Sequence, residues 1–154
     1  MTLSIIIISW KVKELLKQCL SSIYAQNFSF SLEIIVVDNN SQDGTAAMIK
    51  ANFPAVKLIA LKKNIGFAAA NNIGMQQAAG QFVLLLNPDT KLIDGSLTKA
   101  LEKCQHNPQI GILGCKLLNG NGSLQSSVRR FPTTADHFLM MFKLHHLFPA
   151  KKYL

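Results

Sequence analysis

Acidic residues are scarce in this 154-residue chain: 8 Asp and Glu stand against 16 Lys and Arg, leaving a formal charge of +8. That balance excludes an acidic, self-repelling tail and implies anionic company such as nucleotide diphosphates, anionic lipid or nucleic acid. The basic residues are scattered, apart from Lys62-Lys63, Arg129-Arg130 and Lys151-Lys152. No basic stripe is interleaved with aromatics, so no nucleic-acid partner is expected. Cysteine is scarce too. Cys19, Cys104 and Cys115 are widely spaced in apolar contexts and form no C-x-x-C pair. This argues against a disulfide scaffold or a zinc site, and for small buried hydrophobes in a reducing compartment. No apolar run reaches the roughly 18–20 residues that span a bilayer. The start, Met1-Thr2-Leu3-Ser4, lacks a basic region, and Ile5 to Ile8 is too short for a signal-peptide core. A cytoplasmic protein is expected, with peripheral contact at the inner face of a membrane left open. The sequons at Asn27, Asn39 and Asn121 then have no consequence.

Familiar phosphate and hydrolase motifs are missing as well. The chain contains no G-x-G-x-x-G after a strand, no G-x-x-x-x-G-K-[ST] and no G-x-S-x-G. Dinucleotide, Walker-type and serine-hydrolase readings lose their main support.

Hydrophobic residues make up 49% of the chain, enough for one ordinary domain. Strand-like and helix-like segments alternate. Leu3 to Ser9 is a β-branched run suited to burial on both faces of a parallel sheet. Val12, Leu15, Leu16, Cys19, Leu20 and Ile23 then fall at helical spacing. Leu32 to Val37 predicts a second strand, ending at the polar cluster Asp38-Asn39-Asn40-Ser41. A short helix from about Gly44 to Asn52 is stopped before Pro54. Val56 to Leu61 reads as a strand, Lys62 to Gly66 as a loop, and Phe67 to Ala79 as an Ala-rich helix with Gly80 as its stop. Phe82 to Leu86 is a fourth strand, cut off by Asn87-Pro88-Asp89-Thr90, and Asp94 is placed to cap a helix to about His106. Ile110 to Leu118 and Ser123 to Val128 resemble two strands joined by a turn. The β-α-β-α order predicts an α/β sandwich with a mainly parallel sheet flanked by helices. Right-handed crossovers put the carboxyl ends of the strands on one edge, where such folds bind ligands. Ser9, Asp38, the Lys62–Gly66 loop and Asn87 to Thr90 all follow such ends.

Several residues on that edge have chemistry to offer. A carboxylate at Asp38 suits a base N–H or a ribose hydroxyl, and equally a turn that bonds its own amides. Asp89 suits a divalent ion held by one carboxylate, phosphate oxygens and water, or again a turn. Asn64 to Asn72 opens a helix with small residues, and its free amides are suited to phosphate or ribose. Within it Gly66 and Asn71 are the functional candidates, while the alanines suit close packing. Trp10 offers a stacking surface for a base or packs at the rim. Arg129 and Arg130 either clamp a diphosphate or lie on a solvated edge.

Four stretches together resemble glycosyltransferase family 2: Ser4 to Ser9, Ile35 to Thr45, Asn64 to Asn72, and Ala79 to Thr90, the last two resembling its rhamnosyltransferase-like branch. The similarity runs to about Pro132. The resemblance implies a GT-A fold, with residues 1–132 as a nucleotide-sugar-binding domain and 133–154 as an apolar, basic tail that starts an acceptor-binding half. It implies that Asp38 contacts the nucleotide base and that Asp89 binds Mg²⁺ or Mn²⁺. Ser9 and Trp10 then line the nucleotide pocket, and Asn64, Gly66 and Asn71 lie below the ribose and diphosphate. The implied reaction is inverting transfer of a sugar from a nucleoside diphosphate to a glycan or lipid-linked acceptor, in cell-surface polysaccharide synthesis. Two features depart from the family pattern. Trp10-Lys11 stands where an aromatic-Asn pair is usual, and Asn87-Pro88-Asp89 carries one carboxylate where many relatives have two, as this branch does. Family members continue well past this resemblance, with an acidic motif supplying the general base. Here only Asp94, Glu102 and Asp136 follow Asp89, so a shortened chain without its base is expected. A non-catalytic nucleotide-sugar-binding module is the alternative. The Leu-, Met- and Phe-rich stretch Phe138 to Phe148 fits either a membrane-surface helix or a core face that further chain covers.

Overall fold

The computed structural model describes residues 1–127 together with Thr134, Met141 and Phe142. Its elements run β1 (Leu3–Ser9), α1 (Lys13–Tyr24), β2 (Leu32–Asp38), α2 (Thr45–Asn52), β3 (Lys57–Ala60), α3 (Phe67–Gln76), β4 (Phe82–Leu86) and α4 (Ser96–His106). The chain divides into two compact units, Met1–Gln109 and Ile110–Leu154.

All four strands of the first unit pair in parallel, in the order β3-β2-β1-β4. The apolar runs explain the order. β1 is buried at all seven positions, as a strand with neighbours on both edges and helices on both faces must be. Ile5 and Ile7 face a core that includes Leu16, Cys19, Leu20 and Ile23 of α1, Ile49 of α2 and Leu97 of α4. Ile6, Ile8 and Val37 face Ala70 of α3 on the other side. Burying each large aliphatic contributes about 1.5–3 kcal/mol, so this central strand anchors both layers. β4 alternates instead: Val83 and Leu85 are exposed at 45% and 49%, on the Ile6 face of the sheet.

Some expected boundaries move. Leu15 is exposed and drops out of the α1 stripe, while Val12 becomes the residue preceding the helix. α3 ends at Gln76, short of Ala79, so Gly80 is not its stop. Close approach explains that glycine: a Cβ there would lie 2.5 Å from the Ser4 backbone nitrogen and 2.7 Å from the Leu3 carbonyl carbon. Gly80 N–H donates to Ser4 Oγ (2.8 Å), and Ser4 Oγ donates to Glu33 Oε1 (2.7 Å), which also accepts from Ala79 N–H (2.7 Å). These bonds hold the Glu33 carboxyl below its ordinary range, the Ser4 hydroxyl first and the Ala79 amide next. Gly95 rather than Asp94 precedes α4, with no side-chain cap.

In the second unit, the two strands expected around Asn119 to Gly122 reduce to one antiparallel bridge between Leu118 and Leu124. Every residue from Gly114 to Ser127 is exposed, so no buried face fixes a longer register. Val128, Arg129 and Arg130, and nearly all of the tail, lie outside the described residues. No helix among the described residues is long and apolar enough to cross a membrane.

Candidate functional site

Parallel pairing carries every strand's carboxyl end to one edge. Ser9 and Asp38 are register partners across β1 and β2, and Asp38 pairs with Ala60 of β3. Ile7 pairs with Leu86 of β4, so Asn87 to Thr90 leave the sheet on the other side of Ser9. Two further backbone bonds stitch the edge: Asn39 N–H to Ser9 O (2.8 Å) and Leu61 N–H to Asp38 O (2.9 Å). The edge therefore presents, in spatial order, the Asn64–Gly66 loop, Asp38, Ser9 and the Asp89 turn.

Left-handed backbone concentrates here. Lys11, Asn40 and Gln42 have φ of 55°, 63° and 57°, and they are the positive-φ non-glycine residues among those described. Asn adopts that region readily, whereas Lys and Gln do so at a cost that clusters at functional sites. Side-chain bonds hold the two loops in place. Asp38 Oδ1 accepts from Ser41 N–H (3.0 Å), so the turn role expected of this carboxylate is filled through one of its two oxygens. Ser41 Oγ accepts from Lys11 N–H (3.1 Å) and donates to Ser9 O (3.4 Å). Asp43 accepts from Lys13 N–H (3.2 Å) and from the amide and hydroxyl of Thr45 (3.0 and 2.6 Å). Burial alone would raise the Asp43 pKa, but the bonds from Thr45 and Lys13 outweigh it and hold the carboxyl below its ordinary value.

The β3–α3 loop belongs to the same network. Asn64 Oδ1 accepts from Gly66 N–H (2.8 Å), and the buried Asn39 amide bridges to Asn64, Ile65 and Gly66. Gly66 sits at φ 83° and ψ 167°, a region that only glycine occupies readily. No side chain caps α3, so its first-turn amides carry the positive end of the helix dipole uncapped. Asn71 lies one turn further, buried, with its Nδ2 donating to Phe67 O (3.0 Å). Its amide donor is thus engaged inside the helix. Trp10 is 51% exposed at the end of β1, and the Lys11 ammonium lies 5.4 Å from its ring centroid. Ser9 Oγ is the one buried side-chain polar atom among the described residues with no hydrogen-bond partner.

The β4 side is built differently. Thr90 closes a turn on Asn87, its hydroxyl donating to Asn87 O (2.7 Å), and this turn leaves Asp89 exposed. No hydrogen bond or ion pair among the described residues engages its carboxylate. The loop is held from beneath by α1: Cys19 Sγ faces Asn87 O at 3.8 Å, and Ser22 Oγ accepts from Leu92 N–H (3.1 Å). Burial pushes the Cys19 thiol up to about 11, with the Asp89 charge adding to the rise and Thr90 opposing it. That thiol is packing, not chemistry. No group of three or more His, Cys, Asp or Glu among the described residues is arranged to hold a metal. Asp89 is thus a single-carboxylate position. Two shallow grooves, of about 520 and 410 Å³, flank α1, and neither is lined by Asp38 or Asp89.

The model of glycosyl transferase family 2 matches residues 4–151. The chain belongs to this family. It is 30% identical over 114 residues to the O-antigen biosynthesis protein RfbC of Myxococcus xanthus, covering 73% of this chain and 9% of that protein. It is 28% identical over 113 residues to the N-acetylglucosaminyl-diphospho-decaprenol L-rhamnosyltransferase of Mycobacterium tuberculosis, covering 66% and 37%. The mannosyltransferase PcManGT of Pyrobaculum calidifontis, solved with GDP-Man and Mn²⁺, matches with a TM-score of 0.64 at 25% identity, over 71% of this chain and 33% of that one. The parallel sheet flanked by helices is the GT-A arrangement that the resemblance implied, and this chain spans well under two thirds of each of these proteins.

The order of strands and helices placed Ser9, Asp38, the Lys62–Gly66 loop and the Asp89 turn at strand ends, as the structure has them, but three residues that hold this edge together were not singled out: Asn39, Ser41 and Asp43. All lie in the polar cluster after β2. Their partners sit about 25 to 30 residues away, beyond the reach of any local spacing rule. The available signal was the density of Asn, Ser and Asp at a strand end, which marks a loop without naming its partner.

Proposed function

We propose that this chain carries the donor-binding half of an inverting glycosyltransferase that moves a sugar from a nucleoside diphosphate to a glycan or lipid-linked acceptor in cell-surface polysaccharide synthesis. The observation that carries this reading is the juxtaposition on one sheet edge of Ser9, Asp38, the Asn64–Gly66 loop and Asp89. In it, Asp38 accepts a base N–H with the oxygen that Ser41 leaves free. The uncapped amides of α3 face the ribose and diphosphate, where they favour negative charge. Ser9 Oγ, buried without a partner among the described residues, gains one from the nucleoside. Trp10 borders the base. The exposed Asp89 carboxylate, unpaired among the described residues, suits a divalent ion whose other ligands are phosphate oxygens and water. When bound, Mg²⁺ or Mn²⁺ supplies positive charge that offsets the charge developing on the leaving nucleoside diphosphate. The net charge of +8, with Lys62 and Lys63 exposed at the start of the β3–α3 loop, favours approach of an anionic donor.

A second reading, a nucleotide-sugar-binding module without transfer, is favoured by one observation. After Asp89 the acidic residues among those described are Asp94 and Glu102, both exposed and the latter in mid-α4, so no buried carboxylate follows Asp89 among them. Thermal shift with UDP-, GDP- and dTDP-sugars, with and without Mn²⁺, tests both readings when run beside a turnover assay. One nucleotide class is expected to stabilise the chain. Binding without turnover supports the second reading, and stabilisation by none of the donors sinks both.

A further inference from the structure

We infer that Asn39 is the positioning residue that sets the phosphate-facing end of the site, by locking the Asn64–Gly66 loop to the strand end that carries Asp38. The inference rests on the donor-binding reading above and deepens it. Asn39 is 2% exposed and both ends of its amide are used. Oδ1 accepts from Ile65 N–H at 3.0 Å, while Nδ2 donates to Asn64 Oδ1 at 2.9 Å and to Gly66 O at 3.4 Å. The orientation of the amide is dictated by its partners. A backbone N–H can only donate, so the group facing Ile65 is the oxygen. Asn64 Oδ1 already accepts from Gly66 N–H, so the atom facing it from Asn39 donates.

The consequence lies at Gly66. Its φ of 83° and ψ of 167° turn the chain into α3, and its carbonyl starts the helix by accepting from Ala70 N–H at 3.2 Å. A glycine has many alternatives to that conformation, and the bonds to its amide and carbonyl are what select it. Asn39 therefore aims the first turn of α3, while its chain neighbour Asp38 faces the base. Two adjacent residues on one strand end fix the two ends of one ligand relative to each other. A carboxylate at position 39 is isosteric but keeps only the Ile65 bond. It places negative charge against Asn64 Oδ1 and Gly66 O, and the loop loses its lock.

The test compares Asn39→Asp with the wild-type chain. Affinities for UDP, GDP and dTDP with Mn²⁺, and for uridine, guanosine and thymidine, are measured by calorimetry and NMR titration. Amide exchange at Ile65 and Gly66 is read in the same samples. Diphosphate affinity is expected to fall about tenfold while nucleoside affinity stays within about twofold, and both amides exchange faster. A role in overall folding would lower the two affinities together. Asn64→Ala removes one arm of the lock from an exposed side chain and gives the same pattern at smaller size, including where Asn39→Asp does not fold. Equal losses for nucleoside and diphosphate, or no loss of either, overturn the assignment. A wild-type chain that binds no diphosphate overturns the donor-binding reading itself, before any variant is compared.

Discussion

The two sides of the sheet edge are constructed on opposite principles. On the β2–β3 side, Asp38, Asn39, Ser41, Asp43 and Asn64 are tied to one another or to backbone, and left-handed residues are held in place by those ties. On the β4 side, Asp89 projects from a short turn with no bonded partner among the described residues, and the loop around it is bonded to Cys19 and Ser22 beneath it. A preorganised half loses little freedom on binding, which suits recognition of a rigid base and ribose. The other half presents one solvated charge, which in the proposed reading meets a cation and the diphosphate together. The proposed donor site thus takes its shape from one side and its charge from the other.

The comparison is broken most severely by Asp38→Ala. Loss of the proposed base contact and of the Ser41 tie is expected to abolish the thermal shift produced by any nucleotide sugar, and a shift equal to wild type would remove Asp38 from the site. Gly66→Ala probes the clamped half without a new clash, because among the described residues no atom beyond its chain neighbours lies within 4 Å of the added Cβ. The strained φ alone should lower unfolding stability by about 1–3 kcal/mol in a denaturant titration. No change would mean that the loop relaxes freely.

A smaller effect concerns Asp43. Its carboxyl is held below its ordinary 3.8, so it contributes stability that is present above that value and lost as pH falls through the depressed one. Asp43→Asn is expected to flatten the decline of stability at pH below about 4, measured by urea unfolding across acid pH. An unchanged slope would show that the bonds to Thr45 and Lys13 do not persist in solution.

Much of the fold was legible because apolar periodicity reports burial directly. Seven consecutive buried positions in β1 follow from a run rich in β-branched residues, and the α1 stripe follows from helical spacing, apart from Val12 and Leu15. Glycine roles were less legible. Gly80 reads as a helix stop but serves close approach to β1, because the sequence does not say which backbone passes nearby. The same limit applies to the site. Asp38 and Asp89 were legible as polar residues ending apolar strands, and the family pattern gave each an expected role. Asn39 looked like loop filler, since its significance comes from a segment about 25 residues away that only the sheet order brings alongside.

The division of labour between the two sides is tested most directly by how Mn²⁺ changes nucleoside diphosphate affinity in the wild type and in Asp89→Asn. Calorimetry with UDP, GDP and dTDP, each with Mn²⁺ and with chelator, gives the four affinities needed for whichever nucleotide binds. Mn²⁺ is expected to tighten binding to the wild type by about tenfold or more and to leave Asp89→Asn nearly unaffected, with metal-free affinities equal in the two proteins. A variant that keeps the full Mn²⁺ gain, or that loses affinity equally with and without the ion, would contradict a clamped recognition side and a separate cation side.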